Sequence, residues 1–174
     1  KHLIKKLHCS NKFKLNLLIS GSHLSNSHGL TIKEIENDGF RENIKIQMSL
    51  DKKPAPSIGE LTSEVFLGID KALQTIKPEL IFILGDRYEA FAAAGASHLA
   101  NIPIAHIHGG ETTLGALDDR LRHAITQLST WHFTSAEQYR QKVIEMGHPS
   151  ERVFEIGPMI LDGLIETSTI SRKD

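Results

Sequence analysis

A doubly wound α/β fold with a mostly parallel sheet is predicted by three features of the sequence. The first is a pair of unbroken apolar runs, LIFIL at 80–84 and IPIAHI at 102–107. Each stops abruptly at polar groups, Gly85-Asp86-Arg87 and His108-Gly109-Gly110-Glu111. Strands buried on both faces look like this. The second is the alanine-rich segment EAFAAAGASHLA at 89–100 between them, with apolar positions at helical spacing, which makes a β-α-β unit. The third is the alternation that continues on both sides, giving the order β-β-α-β-α-β-α-β-α. A crossover helix sends its two strands the same way, so their carboxyl ends share one edge of the sheet, the edge where open α/β sheets bind ligands. Asp86, Arg87, His108 and Glu111 are therefore expected at one crevice.

The elements follow in order. Lys1 to Lys14 holds five lysines and two histidines, and KHLIKKLH at 1–8 reads as the solvated tail of an amphipathic helix begun upstream, the chain being a piece of a longer protein. FKLNLLIS at 13–20 has strand composition and runs into Gly21-Ser22-His23, which would deliver His23 to an edge. Thr31 is expected to cap IKEIEND, with Glu34 completing a capping box and Gly39 ending the helix. NIKIQMSL at 43–50 alternates as a short strand. Pro54 and Pro56 break the chain before Ser57, and Leu61, Val65, Ile69, Ala72, Leu73 and Ile76 then mark a helix stopped before Pro78. Beyond the central unit, DDRLRHAITQLS carries its acids in the first helical turn. WHFT is a strand, Ser135 is expected to cap AEQYRQKVIEM with Gly147 closing it, VFEIG is a further strand, and MILDGLIE a last helix before a polar tail, 167–174.

Composition narrows the function classes. The 174 residues suit one α/β domain, and 20 basic against 21 acidic residues give a net charge of -1, which points to neither nucleic acid nor membrane as a partner. Cys9 is the sole cysteine, so no intrachain disulfide or thiolate cluster can form and a reducing, cytoplasmic setting is the simplest expectation.

The polar groups at the shared edge suggest chemistry. His106 and His108 share a strand face and could chelate a metal, but no third ligand follows from spacing, so His106 is expected to be a hydrogen-bonded core residue and His108 to lie at the strand end. Asp118 and Asp119 with Arg122 three or four residues on fit ordinary helix stabilisation as well as catalysis. Asp86 pairs with Arg87, serves the crevice, or does both. His23 and His123 read singly as structural or surface groups. Together, several carboxylates, histidines and arginines suit removal of a proton from carbon while an anion departs. A hydrolase or transferase could use the same inventory.

The segments GSHLS, GDRYEA, HIHGGE and DDRLRHAIT, in this order, resemble the UDP-N-acetylglucosamine 2-epimerase family, in its hydrolysing, sialic-acid- and bacillosamine-type branch. The likeness runs from about His2 to Leu164. It implies most of the N-terminal domain of a two-domain, glycosyltransferase-B-like enzyme that works between its domains, needs no cofactor, takes a UDP-sugar and forms homo-oligomers. It also implies elimination of UDP to a glycal, followed by addition of water and release of a 2-epimerised amino sugar. By this likeness Asp86, Asp118 and Asp119 match catalytic acids, Arg87 matches a nucleotide-contacting arginine, and His23, Arg122 and His123 are further candidates to hold substrate. Many members carry glutamate where this chain has His108, so either His108 takes over the acid/base duty or Glu111 reaches in. The family's upstream Gly-Thr-Arg strand lies outside this sequence. The alternatives are a non-hydrolysing epimerase, a glycosyltransferase of the same fold, or a non-catalytic folding or dimerisation module.

Overall fold

The computed structural model describes residues 1–41, 43–113 and 117–159. Helix α1 spans His2–His8, and strands β1 (Leu17–Ile19) and β2 (Asn43–Lys45) pair in parallel, joined through helix α2 (Ile32–Asn37). Helix α3 (Ile58–Ile76) leads to strand β3 (Ile81–Leu84), after which come helix α4 (Tyr88–Leu99), strand β4 (Ile104–Ile107), helix α5 (Leu117–Leu128), strand β5 (Trp131–Thr134), helix α6 (Glu137–Glu145) and strand β6 (Val153–Glu155). The last four strands form one sheet in the order β3-β4-β5-β6, every pair parallel. The expected parallel α/β architecture is thus present. Among the described residues it occurs as a two-stranded and a four-stranded sheet, with the strands at the N-terminal side shorter than 13–20 and 43–50. The predicted helix MILDGLIE and the tail at 167–174 lie outside the described residues, save Met159.

Local chemistry explains where helices start. Ser57 and Glu60 form a reciprocal capping box: Glu60 N–H donates to Ser57 Oγ at 3.2 Å, and Ser57 N–H to the Glu60 carboxylate at 2.7 Å. This satisfies two of the donors that a helix start leaves over. Thr31 does not do the same for α2, correcting the expected box; its hydroxyl instead lies 2.7 Å from His23 Nδ1. Nor does Ser135 cap α6, whose N-cap is Ala136 without a side-chain bond. The Ser135 hydroxyl is used elsewhere.

Two apolar clusters meet on α4. Ala92 and Ala96 pack with Ile46, Val65, Ile69 and Leu73, while Ala94 packs with Ile83, Ile104 and Ile125. The alanines let α3 and α5 approach α4 closely and bury the strand side chains beneath, the main source of stability in such a layer. The opposite sheet face carries Phe82, Trp131 and Phe154, which are exposed, with Phe133 stacked on Phe154 at a centroid distance of 5.6 Å. No helix among the described residues is long and apolar enough to cross a membrane.

Candidate active site

Register sets the site. Leu84 lies opposite Ile107, and Ile107 opposite Phe133, so β3 and β4 end level and β5 runs one residue further. The ladder continues one step further, with Gly85 N–H donating to Ile107 O at 3.2 Å and His108 N–H to Phe133 O at 2.8 Å. Asp86, two residues after β3, and His108 and Ser135, directly after β4 and β5, are thereby carried to a single edge. At His108 the backbone takes φ 65° and at Gly110 φ 78°, which reverses the chain after β4. A left-handed histidine is uncommon, and such conformations persist where surrounding contacts over-determine them.

The buried Arg122 of α5 organises the edge. Its Nη2 donates to Asp86 Oδ2, its Nη1 to Glu111 Oε2 at 2.8 Å and to the backbone oxygen of His108 at 3.3 Å. The side chain is only 8% exposed, against 20% for Asp86 and 24% for Glu111. One planar guanidinium therefore bridges two carboxylates delivered by different strands, the forked geometry that arginine supplies and lysine does not. The structure selects among the readings left open. Asp86 pairs with Arg122 at the crevice and not with its neighbour Arg87, whose guanidinium is turned to Glu89 at 3.1 and 3.2 Å and is largely exposed. Arg122 is bonded to acids from two other strands and not to Asp118 or Asp119 of its own helix turn, a placement in which one fork reaches two carboxylates at once.

Glu111 and His108 form a second contact, with His108 Nδ1 2.6 Å from Glu111 Oε1. The same oxygen accepts from the Ser135 hydroxyl at 2.5 Å. Burial works to raise the Glu111 pKa, but the hydrogen bonds from Ser135 and His108, with the charge of Arg122, outweigh it and hold the carboxyl below its usual range. An anionic Glu111 fixes which imidazole nitrogen carries the proton, leaving His108 Nε2 to exchange one.

Asp119 sits beside this group. Its Oδ1 accepts from Thr113 N–H at 2.8 Å, and its Oδ2 lies 3.7 Å from His123 Nε2. The Thr113 bond is the largest reason its carboxyl titrates below the ordinary aspartate value. Lys142 Nζ donates to Thr112 Oγ1 at 2.6 Å and to His123 Nε2 at 3.1 Å. Burial, then the charge of Lys142, push the His123 pKa down. Asp118 is exposed and makes no hydrogen bond or ion pair among the described residues. His23 is exposed and its ring contact is with Thr31, so neither it nor Arg87 joins the network of Arg122. Ser135, Thr113 and Lys142 were not anticipated from sequence. For Ser135 the available signal was its place directly after β5, one residue beyond the level of His108.

His106 is fully buried, with Nε2 2.9 Å from Gly85 O and Nδ1 3.2 Å from Thr126 Oγ1, so it is a core residue with both nitrogens engaged, as expected from sequence. Burial pushes its pKa down to about 4 and that of the adjacent His132, with help from His148 and His106, to about 3. The unfolded chain takes up these protons near pH 6.5, well above the folded protein. Stability is therefore expected to be full at pH 7, to fall as pH drops from 6.5 towards 4, and to fall roughly 3 kcal/mol less in His106→Gln. Urea midpoints across that range check this; a pH-independent difference between the two proteins would refute it.

Comparison with solved structures shows the fold, a Rossmann-like α/β half of the glycosyltransferase-B type. The structure of UDP-GlcNAc 2-epimerase from Neisseria meningitidis, bound to UDP-GlcNAc, matches with a TM-score of 0.84 at 22% identity, over 98% of this chain and 46% of that one. Residues 5–174 match the model of the UDP-N-acetylglucosamine 2-epimerase family, and the chain belongs to that family. It is 35% identical over its whole length to the GDP/UDP-N,N'-diacetylbacillosamine 2-epimerase (hydrolyzing) of Campylobacter jejuni. It is 34% identical over 99% of its length to the UDP-N,N'-diacetylbacillosamine 2-epimerase (hydrolyzing) of Legionella pneumophila. The chain spans just under half, 45%, of the length of each of these relatives.

Proposed function

We propose that this chain supplies the acid/base half of a hydrolysing UDP-amino-sugar 2-epimerase and constitutes most of that enzyme's N-terminal domain, with 167–174 as tail or linker. The observation that carries the reading is the convergence of Asp86, Glu111 and His108 on Arg122 at the carboxyl edge of the sheet, with Asp119 alongside. In the reaction a base takes the proton from carbon 2 of the sugar while the bond from carbon 1 to the nucleotide oxygen breaks, its electron pair leaving with UDP and a carbon 1–carbon 2 double bond forming. Water then adds its oxygen to carbon 1 as a proton returns to carbon 2 on the other face. Two proton-transfer groups are needed. His108, oriented by Glu111, and Asp119, kept ionised by Thr113, fill these roles, so the histidine replaces the family glutamate and Glu111 acts on it from behind. Asp86 and Arg122 set the charge at the reacting carbons. Asp119 is favoured over Asp118 because only Asp119 is tied to the network. Relatives named for hydrolysing bacillosamine epimerisation support a UDP-linked diacetylated amino sugar as substrate.

The test is release of UDP and free epimerised sugar by the complete polypeptide that carries this chain. His108→Gln and Asp86→Asn are each expected to lower kcat by about 10²–10⁴-fold. Unchanged turnover in both variants would sink the reading, and recovery of an intact epimerised UDP-sugar would replace it with the non-hydrolysing reaction.

A further inference from the structure

We infer that Ser135 is a positioning residue of this site, holding Glu111 in the orientation that presents His108 to the sugar; the inference rests on the acid/base reading above. In sequence Ser135 stands where a helix cap belongs, immediately before Ala136-Glu137-Gln138. A capping role would aim its oxygen at the first N–H groups of α6. The structure shows another arrangement: α6 begins at Glu137 behind an N-cap residue, Ala136, that makes no side-chain bond. The Ser135 hydroxyl donates to Glu111 Oε1 instead.

That bond completes the set around the carboxylate. Oε1 takes Ser135 and His108, and Oε2 takes Arg122. The three partners come from the ends of β5 and β4 and from α5, so the carboxylate is fixed from three directions and cannot rotate without breaking one contact. Without Ser135, Oε1 keeps only His108, and the His108 ring loses the fixed acceptor that sets its tautomer and tilt. Positioning of this kind acts on the reacting step more than on substrate affinity. It is also the means by which the end of β5 contributes to the chemistry.

The experiment uses the complete enzyme with its UDP-amino-sugar substrate. Ser135→Ala is expected to lower kcat about tenfold with KM within about twofold, the size of effect expected for one hydrogen bond to a charged group. Loss of the donor makes the Glu111 carboxyl easier to protonate, so the acidic limb of the kcat profile moves to higher pH. Ser135→Thr, which keeps the hydroxyl, is expected to restore both rate and profile. Should the alanine variant not fold, Ser135→Gly carries the same expectation. Turnover within about twofold of the parent, a fall that threonine does not rescue, or a fall with an unmoved pH profile would each overturn the inference. His108→Gln and Asp86→Asn run beside it separate the two levels. If they remain active the acid/base reading fails, and if they are inactive while Ser135→Ala is not, only the role of Ser135 fails.

Discussion

Arg122→Met is expected to abolish turnover and to destabilise the fold by about 3 kcal/mol at pH 7, towards the low end for breaking a buried ion pair because both acids keep some water. The variant fills the space of the arginine stem but leaves Asp86 and Glu111 facing one site without their shared cation. Arg122 is one of the groups that hold the Glu111 carboxyl below its usual range. The stabilisation it gives that carboxylate is present above the unfolded carboxyl pKa and is lost as pH falls through the lower folded one, so the gap between parent and variant is largest at neutral pH and shrinks in acid. Denaturant unfolding of parent and variant at pH 7 and pH 4 checks this. A gap between the two proteins that is the same size at both pH values would show that Arg122 acts through packing and not through charge. Arg122→Lys is expected to rescue little, because a single ammonium cannot span the two carboxylates that the guanidinium bridges.

The second large effect is expected at Gly110. Here the backbone has φ 78°, and a β-carbon would lie 2.5 Å from the backbone oxygen of Tyr139 and 2.8 Å from Val143 Cγ2. Gly110→Ala thus combines an unfavourable conformation with a collision against the backbone of α6, which cannot move aside while Val143 stays fully buried. We expect a loss of about 3 kcal/mol or more, a fall in Tm of roughly 6–12 °C for a chain of this size. Gly147→Ala is the control. Its φ is 101°, with nothing within 4 Å of the added carbon, so only the conformational cost of about 1 kcal/mol applies. Equal Tm shifts in the two variants would remove the case for close approach between the HGGE turn and α6. Since α6 also carries Lys142 and follows Ser135, the same turn ties the helix to the site.

Much of this was legible along the chain. Apolar runs ending in charge locate β3 and β4, alanine at helical spacing locates α4, and the rule that crossovers keep strands parallel places Asp86 and His108 at one edge. His106 is a core residue, as its place inside an apolar strand implies, with both nitrogens hydrogen-bonded. The N-terminal strands were shortened in the structure to Leu17–Ile19 and Asn43–Lys45, since composition marks a strand's existence better than its hydrogen-bonded extent.

What the sequence by itself determined is which groups reach the carboxyl edge, because alternation, crossover direction and strand length are local or topological properties. Only the tertiary structure decided who pairs with whom. Arg122 could bond acids one turn away or acids from other strands, and Ser135 could cap a helix or hold a carboxylate. Both choices were settled by tertiary placement, since the strand ends bring two half-buried carboxylates within reach of one guanidinium, and Glu111 within reach of the Ser135 hydroxyl, which no helix-turn contact matches.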